Sequence, residues 1–100
     1  MFGIAVRFNL LDEEAARRFD ELAAEALVGI KEREPGTLVY AVHTVEDEPL
    51  ARIFYELYEG RDAHLQHEAN PTTQVLLSQV KSLTSSVRAE FLGAPVGKVF

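Results

Sequence analysis

Glu56 and His67 are the side chains whose surroundings point to proton chemistry. Glu56 stands between Tyr55 and Leu57 in the apolar run Arg52–Glu59, RIFYELYE. A glutamate is rarely buried without a partner. Two readings fit it. Burial raises its pKa and makes it a base or proton relay, or it forms an ion pair with Arg7 or Arg88. His67 titrates near neutral pH and can accept a proton from a weak acid. It can equally be a packing residue on a helix. His64 lies three residues earlier and shares roughly the same helical face. A His pair at that spacing can bind a metal, but no EXXH framework surrounds it, so no metal site is expected.

Arg7 and Asn9 share one parity of an alternating segment and line a cavity only if that face is covered. Otherwise they meet solvent near a strand end. Tyr58 is a candidate aromatic wall. Tyr40 reads more readily as core, and His43 as structural or exposed. Ser85-Ser86 has no GxSxG context, which argues against a serine hydrolase. Neither GxGxxG nor GxxxxGK[ST] occurs, so nucleotide or flavin binding through those loops is not indicated.

The bulk composition narrows the field. The 100 residues carry 16 acidic and 10 basic side chains, a formal charge of -6. A protein that tracks phosphates needs the opposite sign, so no nucleic-acid partner is expected. Hydrophobic residues make up 47%, enough for a packed core. There is no cysteine, which removes disulfides, thiolate metal sites and a cysteine nucleophile. No apolar run approaches the roughly 20 residues that span a bilayer, so no membrane partner is expected. The first residues lack a basic segment followed by a cleavage site, and a cytoplasmic location is expected.

The elements that must position these groups follow from periodicity. Gly3–Leu10 alternates, with Ile4, Val6 and Phe8 against Ala5, Arg7 and Asn9. Asp12 is an N-cap with Glu13 and Glu14 in the first turn. From there Ala15, Phe19, Leu22, Ala23, Ala26, Leu27 and Ile30 form one stripe of a helix about 20 residues long. It stops by Pro35-Gly36. Thr37–Val45 and Arg52–Glu59 are strands, joined by an exposed Glu46–Pro49 connection. Arg61–Ala69 is a short helix, and Pro71 opens another, Thr72–Leu83, with Val75, Leu76, Gln79, Val80 and Leu83 on a stripe. Ser85–Leu92 is the fourth strand. Gly93–Phe100 reads as irregular or a short edge strand.

The order is βαββαβ, with the second helix in two pieces. It predicts an α+β, ferredoxin-like fold: a four-stranded antiparallel sheet with its helices on one face. Both parities of the middle strands are apolar, so a monomer exposes a large apolar face. A twofold homodimer with the two bare sheets facing each other, a dimeric α+β barrel, resolves this.

Glu34-Pro-Gly-Thr-Leu-Val-Tyr40, then Glu56-Leu-Tyr58, then Ala63 and His67, resembles the antibiotic biosynthesis monooxygenase (ABM) domain family. The resemblance covers residues 3–92, as one domain over 1–100 with a tail at 93–100. It implies the ferredoxin-like fold and the dimeric barrel. It also implies, for some members, cofactor-free oxidation of phenolic or hydroquinone substrates by O2. Other members degrade haem with a first-strand Asn, a Trp ending the third strand and a helical His. Here Arg7 or Asn9 stands near that Asn position, Tyr58 replaces the Trp, and the chain has no Trp.

Cofactor-free oxygenation needs a substrate that reduces oxygen itself. A phenolate passes one electron to O2 and the radical pair recombines. The protein removes the phenolic proton, holds the anion and excludes water. On this reading Glu56 and His67 are catalytic, and Arg7, Asn9, Tyr58 and Arg88 bind the substrate. No cofactor is expected, and the partners are a small aromatic molecule, O2 and a second copy of the chain. A non-catalytic ligand-binding or regulatory barrel is the alternative, and haem degradation a further one.

Overall fold

The computed structural model describes residues 1–100. Its elements are β1 (Phe2–Leu10), α1 (Glu13–Arg33), β2 (Thr37–Val45), β3 (Glu48–Tyr58), α2 (Arg61–Ala69), α3 (Pro71–Leu83) and β4 (Thr84–Leu92). The strands form one antiparallel sheet in the order β2-β3-β1-β4. This is the ferredoxin-like α+β arrangement.

The register decides which residues meet the helices. Phe2, Ile4, Val6 and Phe8 of β1 stand opposite Tyr58, Glu56, Phe54 and Arg52 of β3. Both sets face the helices. Phe8, Phe19 of α1 and Phe54 form a cluster with ring centroids 4.8 to 5.6 Å apart. Burying each such ring contributes roughly 1.5–3 kcal/mol. The Asp12 side chain caps α1, accepting the Ala15 N–H at 2.8 Å. Arg52 clamps β3 to α1 through a two-pronged pair with Asp20, Nε to Oδ1 at 2.9 Å and Nη2 to Oδ2 at 3.0 Å. That bond raises the guanidinium pKa further.

Several boundaries differ from the sequence expectation. The β2–β3 connection is only Glu46 and Asp47, so β3 begins at Glu48. Asp47 adopts φ 62°, a left-handed conformation that aspartate tolerates and tight hairpins require. Pro49 is therefore strand, near its start, where a missing N–H is tolerated. Helix α3 buries Thr73 and Leu76, whereas Val75 is exposed. The expected apolar stripe is therefore shifted by one residue there. Residues 93–100 form neither helix nor strand.

The molecule measures 35 × 29 × 18 Å, which is two layers thick. The second face of the sheet carries Ala5, Val39, Ala41, Ile53 and Tyr55, all partly exposed. No helix is long and apolar enough to cross a membrane.

Candidate active site

Three neighbouring elements converge on one buried carboxylate. Helix α1 ends at Glu34, whose side chain is 1% exposed. Its Oε1 accepts the Thr37 hydroxyl at 2.7 Å and faces His67 Nδ1 at 2.9 Å. Its Oε2 accepts Asn70 Nδ2 at 2.7 Å. The same Asn70 side chain caps α3, accepting from the Thr72 N–H at 3.3 Å. The tripeptide Glu34-Pro35-Gly36 thus does three jobs. Pro35 ends the helix, Glu34 anchors His67, and Gly36 lets α2 approach. A Cβ on Gly36 would stand 2.6 Å from the Ala63 Cβ.

Because a carboxylate can only accept, His67 Nδ1 carries the hydrogen and Nε2 carries the lone pair. Nε2 points to Glu56 Oε1 at 3.8 Å, too far for a direct hydrogen bond. Burial lowers the His67 pKa, with Glu34 partly opposing that. His67 is therefore a neutral base near pH 7. Glu56 is pushed up from 4.5 to about 7, chiefly by burial. The Tyr58 hydroxyl, which donates to Glu56 Oε1, pulls the other way. Burial and the nearby Glu56 push both Tyr58 and Tyr40 well above the ordinary tyrosine range. They act as hydrogen-bond donors, not bases.

Glu56 and His67 open onto a cavity of about 260 Å³ between the sheet and helices α2 and α3. Its walls are mostly apolar, with Ile4, Val6, Phe8, Phe54, Leu76 and Val80 among them. The polar side chains that line it are Glu56, His64, His67, Glu68, Tyr40 and Thr73. Its mouth lies between α3 and β4, where Leu77, Val87 and Phe91 are exposed. His64 stands beside the site, with Nδ1 3.7 Å from Glu68 Oε1. No group of three or more His, Asp or Glu side chains is placed to hold a metal.

The structure thus brings Glu56 and His67 together. It places the other candidates elsewhere. Tyr58 is fully buried behind Glu56, packed on His64 at 5.0 Å and Phe2 at 5.6 Å, and does not line the cavity. Tyr40, expected in the core, both packs on His67 at 5.1 Å and lines the cavity. Arg7, Asn9 and Arg88 lie on the opposite face of the sheet, because the covered parity of β1 is that of Ile4, Val6 and Phe8. There Arg7 donates to Asn9 at 3.1 Å and pairs with Glu48 at 3.0 Å, and Arg88 pairs with Glu90 at 2.9 Å. Neither arginine reaches Glu56.

Sequence reasoning assigned no role to Glu34, Asn70 or Thr73. One signal for Glu34 was available. A glutamate at the C-terminal end of a helix opposes the dipole, which favours cations there. Lys31 and Arg33 obey that preference and Glu34 violates it.

Solved structures share this architecture. A Mycobacterium tuberculosis protein superposes with a TM-score of 0.86 at 19% identity, covering 98% of both chains. A Caulobacter crescentus protein gives 0.84 at 21% identity, covering 95% of this chain and 90% of that one. SnoaB, a cofactor-independent oxygenase from Streptomyces nogalater, gives 0.79 at 14% identity, covering 97% and 95%. No curated protein matches in sequence. At these identities the likeness establishes the fold. The lineage rests on the sequence itself, whose residues 1–79 match the family model for antibiotic biosynthesis monooxygenase, a span that holds Glu34, Glu56 and His67. The chain belongs to the antibiotic biosynthesis monooxygenase family.

Proposed function

We propose that the protein is a monooxygenase acting with O2 on a small electron-rich phenol, with no flavin or metal. The observation that carries this reading is the line Glu34–His67–Glu56 at the edge of an apolar cavity. A carboxylate whose pKa is raised to about 7 and an imidazole that burial keeps neutral flank a gap in which a phenolic proton fits. The basic group 3.8 Å from Glu56 is the neutral His67 imidazole, and no arginine pairs with this carboxylate, which favours a catalytic role over a silent binding barrel.

The cavity sets the substrate's size. A dry cavity of about 150 Å³ admits benzene. About 260 Å³ therefore suits one or two rings.

In the proposed reaction Glu56 or His67 takes the hydroxyl proton. The anion passes one electron to O2, and the radical pair closes a carbon–oxygen bond to give a hydroperoxide. The ring C–H proton then leaves as the O–O bond breaks, releasing water and leaving a carbonyl. Net, a phenol and O2 give a quinone and water, and the substrate supplies all the electrons. The apolar walls exclude bulk water from the radical pair. Tyr58 orients Glu56, and Glu34 orients His67 and fixes its tautomer. The active form is a homodimer in the cytoplasm.

The test is oxygen uptake by metal-free, flavin-free protein with a panel of phenols. Glu56→Gln and His67→Ala are expected to abolish uptake. Glu34→Gln is expected to lower kcat/KM by about 10- to 100-fold, as loss of a histidine's orienting partner typically does. Full turnover in both Glu56→Gln and His67→Ala would remove the assignment.

A further inference from the structure

The cavity wall holds one buried polar atom for which the protein supplies no partner. Thr73 is 2% exposed, lines the cavity, and its Oγ1 makes no hydrogen bond. Hydroxyls farther along α3 and at the first residue of β4 behave differently. Ser78 donates to the Val75 carbonyl at 2.7 Å, Ser82 to Gln79 at 2.9 Å, and Thr84 to Val80 at 2.8 Å. Such back-bonding to the preceding turn is the ordinary outlet for a helical hydroxyl. Thr73 makes no such bond, although the Asn70 carbonyl three residues back is in place, accepting the Gln74 N–H at 3.0 Å. An unsatisfied buried hydroxyl costs roughly 1–3 kcal/mol, so its presence calls for an explanation.

The position of Thr73 supplies one. It lies one helical turn after Asn70, on the same side of α3. The Asn70 amide and His67 Nδ1 occupy the two oxygens of the Glu34 carboxylate. Along α3, Thr73 stands one turn from Asn70 and two turns from Val80, which puts it nearer the His67 end of the cavity than the end formed by Phe8, Val80 and Val87.

We propose that Thr73 is a specificity-determining residue whose hydroxyl binds a second oxygen of the substrate, next to the hydroxyl that His67 and Glu56 deprotonate. The substrate class is then an ortho-oxygenated phenol, of the catechol or 2-acylphenol kind. A para-dioxygenated ring would carry its second oxygen toward the apolar end, where nothing receives it. The inference rests on the reading of this cavity as the phenol site and deepens it.

Binding without turnover tests it. Catechol, hydroquinone and phenol are titrated anaerobically into the wild-type protein, Thr73→Val and Thr73→Ser, by calorimetry. The wild type is expected to favour catechol over hydroquinone by about three- to tenfold, the worth of one hydrogen bond. Thr73→Val should level the two while melting at the same or a higher temperature, and Thr73→Ser should keep the preference. A preference that survives Thr73→Val overturns the proposal. So does a fall in the melting temperature of Thr73→Val with the preference unchanged, which marks a hydroxyl that serves the fold. Equal binding of catechol and hydroquinone by the wild type also overturns it, while leaving the phenol site standing. A wild type that binds none of the three overturns both.

Discussion

At the scale of single residues the site is a set of paired opposites. Glu34 and Glu56 are both buried, yet they serve differently. Glu34 is surrounded by three neutral donors and stays fixed. Glu56 has one donor, Tyr58, and its pKa rises to about 7. A folded-state pKa above the unfolded value means that the folded protein holds the proton longer. Glu56 is therefore innocuous below pH 4.5 and increasingly destabilising up to pH 7, with the full penalty above. With its pKa moving from 4.5 to about 7, that penalty is about 3 kcal/mol. His67 acts with the opposite sign. Its pKa is lowered, so its contribution is complete above pH 6.5 and is lost as pH falls. Comparing Glu56→Gln with the wild type cancels the His67 part, and glutamine still accepts from Tyr58. Urea denaturation is expected to show Glu56→Gln more stable by about 1–3 kcal/mol at pH 8 and nearly equal at pH 4.5. In the wild type, kcat/KM should rise through pH 7 as the base ionises. A constant stability difference across that range would mean that Glu56 is not held protonated by the fold. A residue that destabilises the fold at working pH is the pattern of a functional site.

At the scale of elements, the site depends on how closely α2 seats against the start of β2. Gly36 has an ordinary backbone conformation. The 2.6 Å approach to the Ala63 Cβ is thus its whole requirement. Gly36→Ala must push away the helix that carries His64 and His67, at a cost of about 1–3 kcal/mol. Ala63→Gly alone should cost about 1 kcal/mol in helix propensity. The double variant should recover much of the combined loss, giving a clear coupling energy in a double-mutant cycle. Simple additivity would refute the contact. This interplay also explains what was legible in the chain. The strands and helices could be read from alternation and from the stripe Phe19, Leu22, Ala26, Ile30, because those patterns are local. The family likeness of Glu34-Pro-Gly, Glu56 and His67 was also visible. The partnership of Glu34 with His67 was not, since it joins residues 33 apart through the α1–β2 turn. The faces of Arg7 and Tyr58 were illegible for another reason. Both parities of β2 and β3 contain apolar residues, so the alternation of β1 alone does not say which face the helices cover, and only their seating on the sheet decides.

At the scale of the molecule, two layers leave one sheet face without a cover. Its centre is Tyr55, flanked by Ala5 on β1 and Ala41 on β2. Its charged groups flank that centre and are paired with one another, Arg7 with Glu48, and Arg88 with Glu90, which stands opposite Ala5. An apolar middle with a paired polar margin is the layout of a protein–protein interface. A twofold pairing of these faces would bury Tyr55 against its own copy's surroundings and leave both cavities, which lie on the helix side, open between α3 and β4. Sedimentation is therefore expected to return twice the 11.2 kDa chain mass, and the melting temperature should rise with protein concentration. Tyr55→Glu puts a charge at the centre, where the nearby arginines, Arg7 and Arg88, are already paired with Glu48 and Glu90. It should yield a folded monomer, or a dimer weakened at least 100-fold, since burying an unpaired charge costs several kcal/mol. The partner is not required to complete the Glu34–His67–Glu56 line, whose three members come from one chain. If the open face serves only assembly, catechol binding by the Tyr55→Glu monomer should persist. Its loss there would mean that the dimer, through the sheet, holds Glu56 in place.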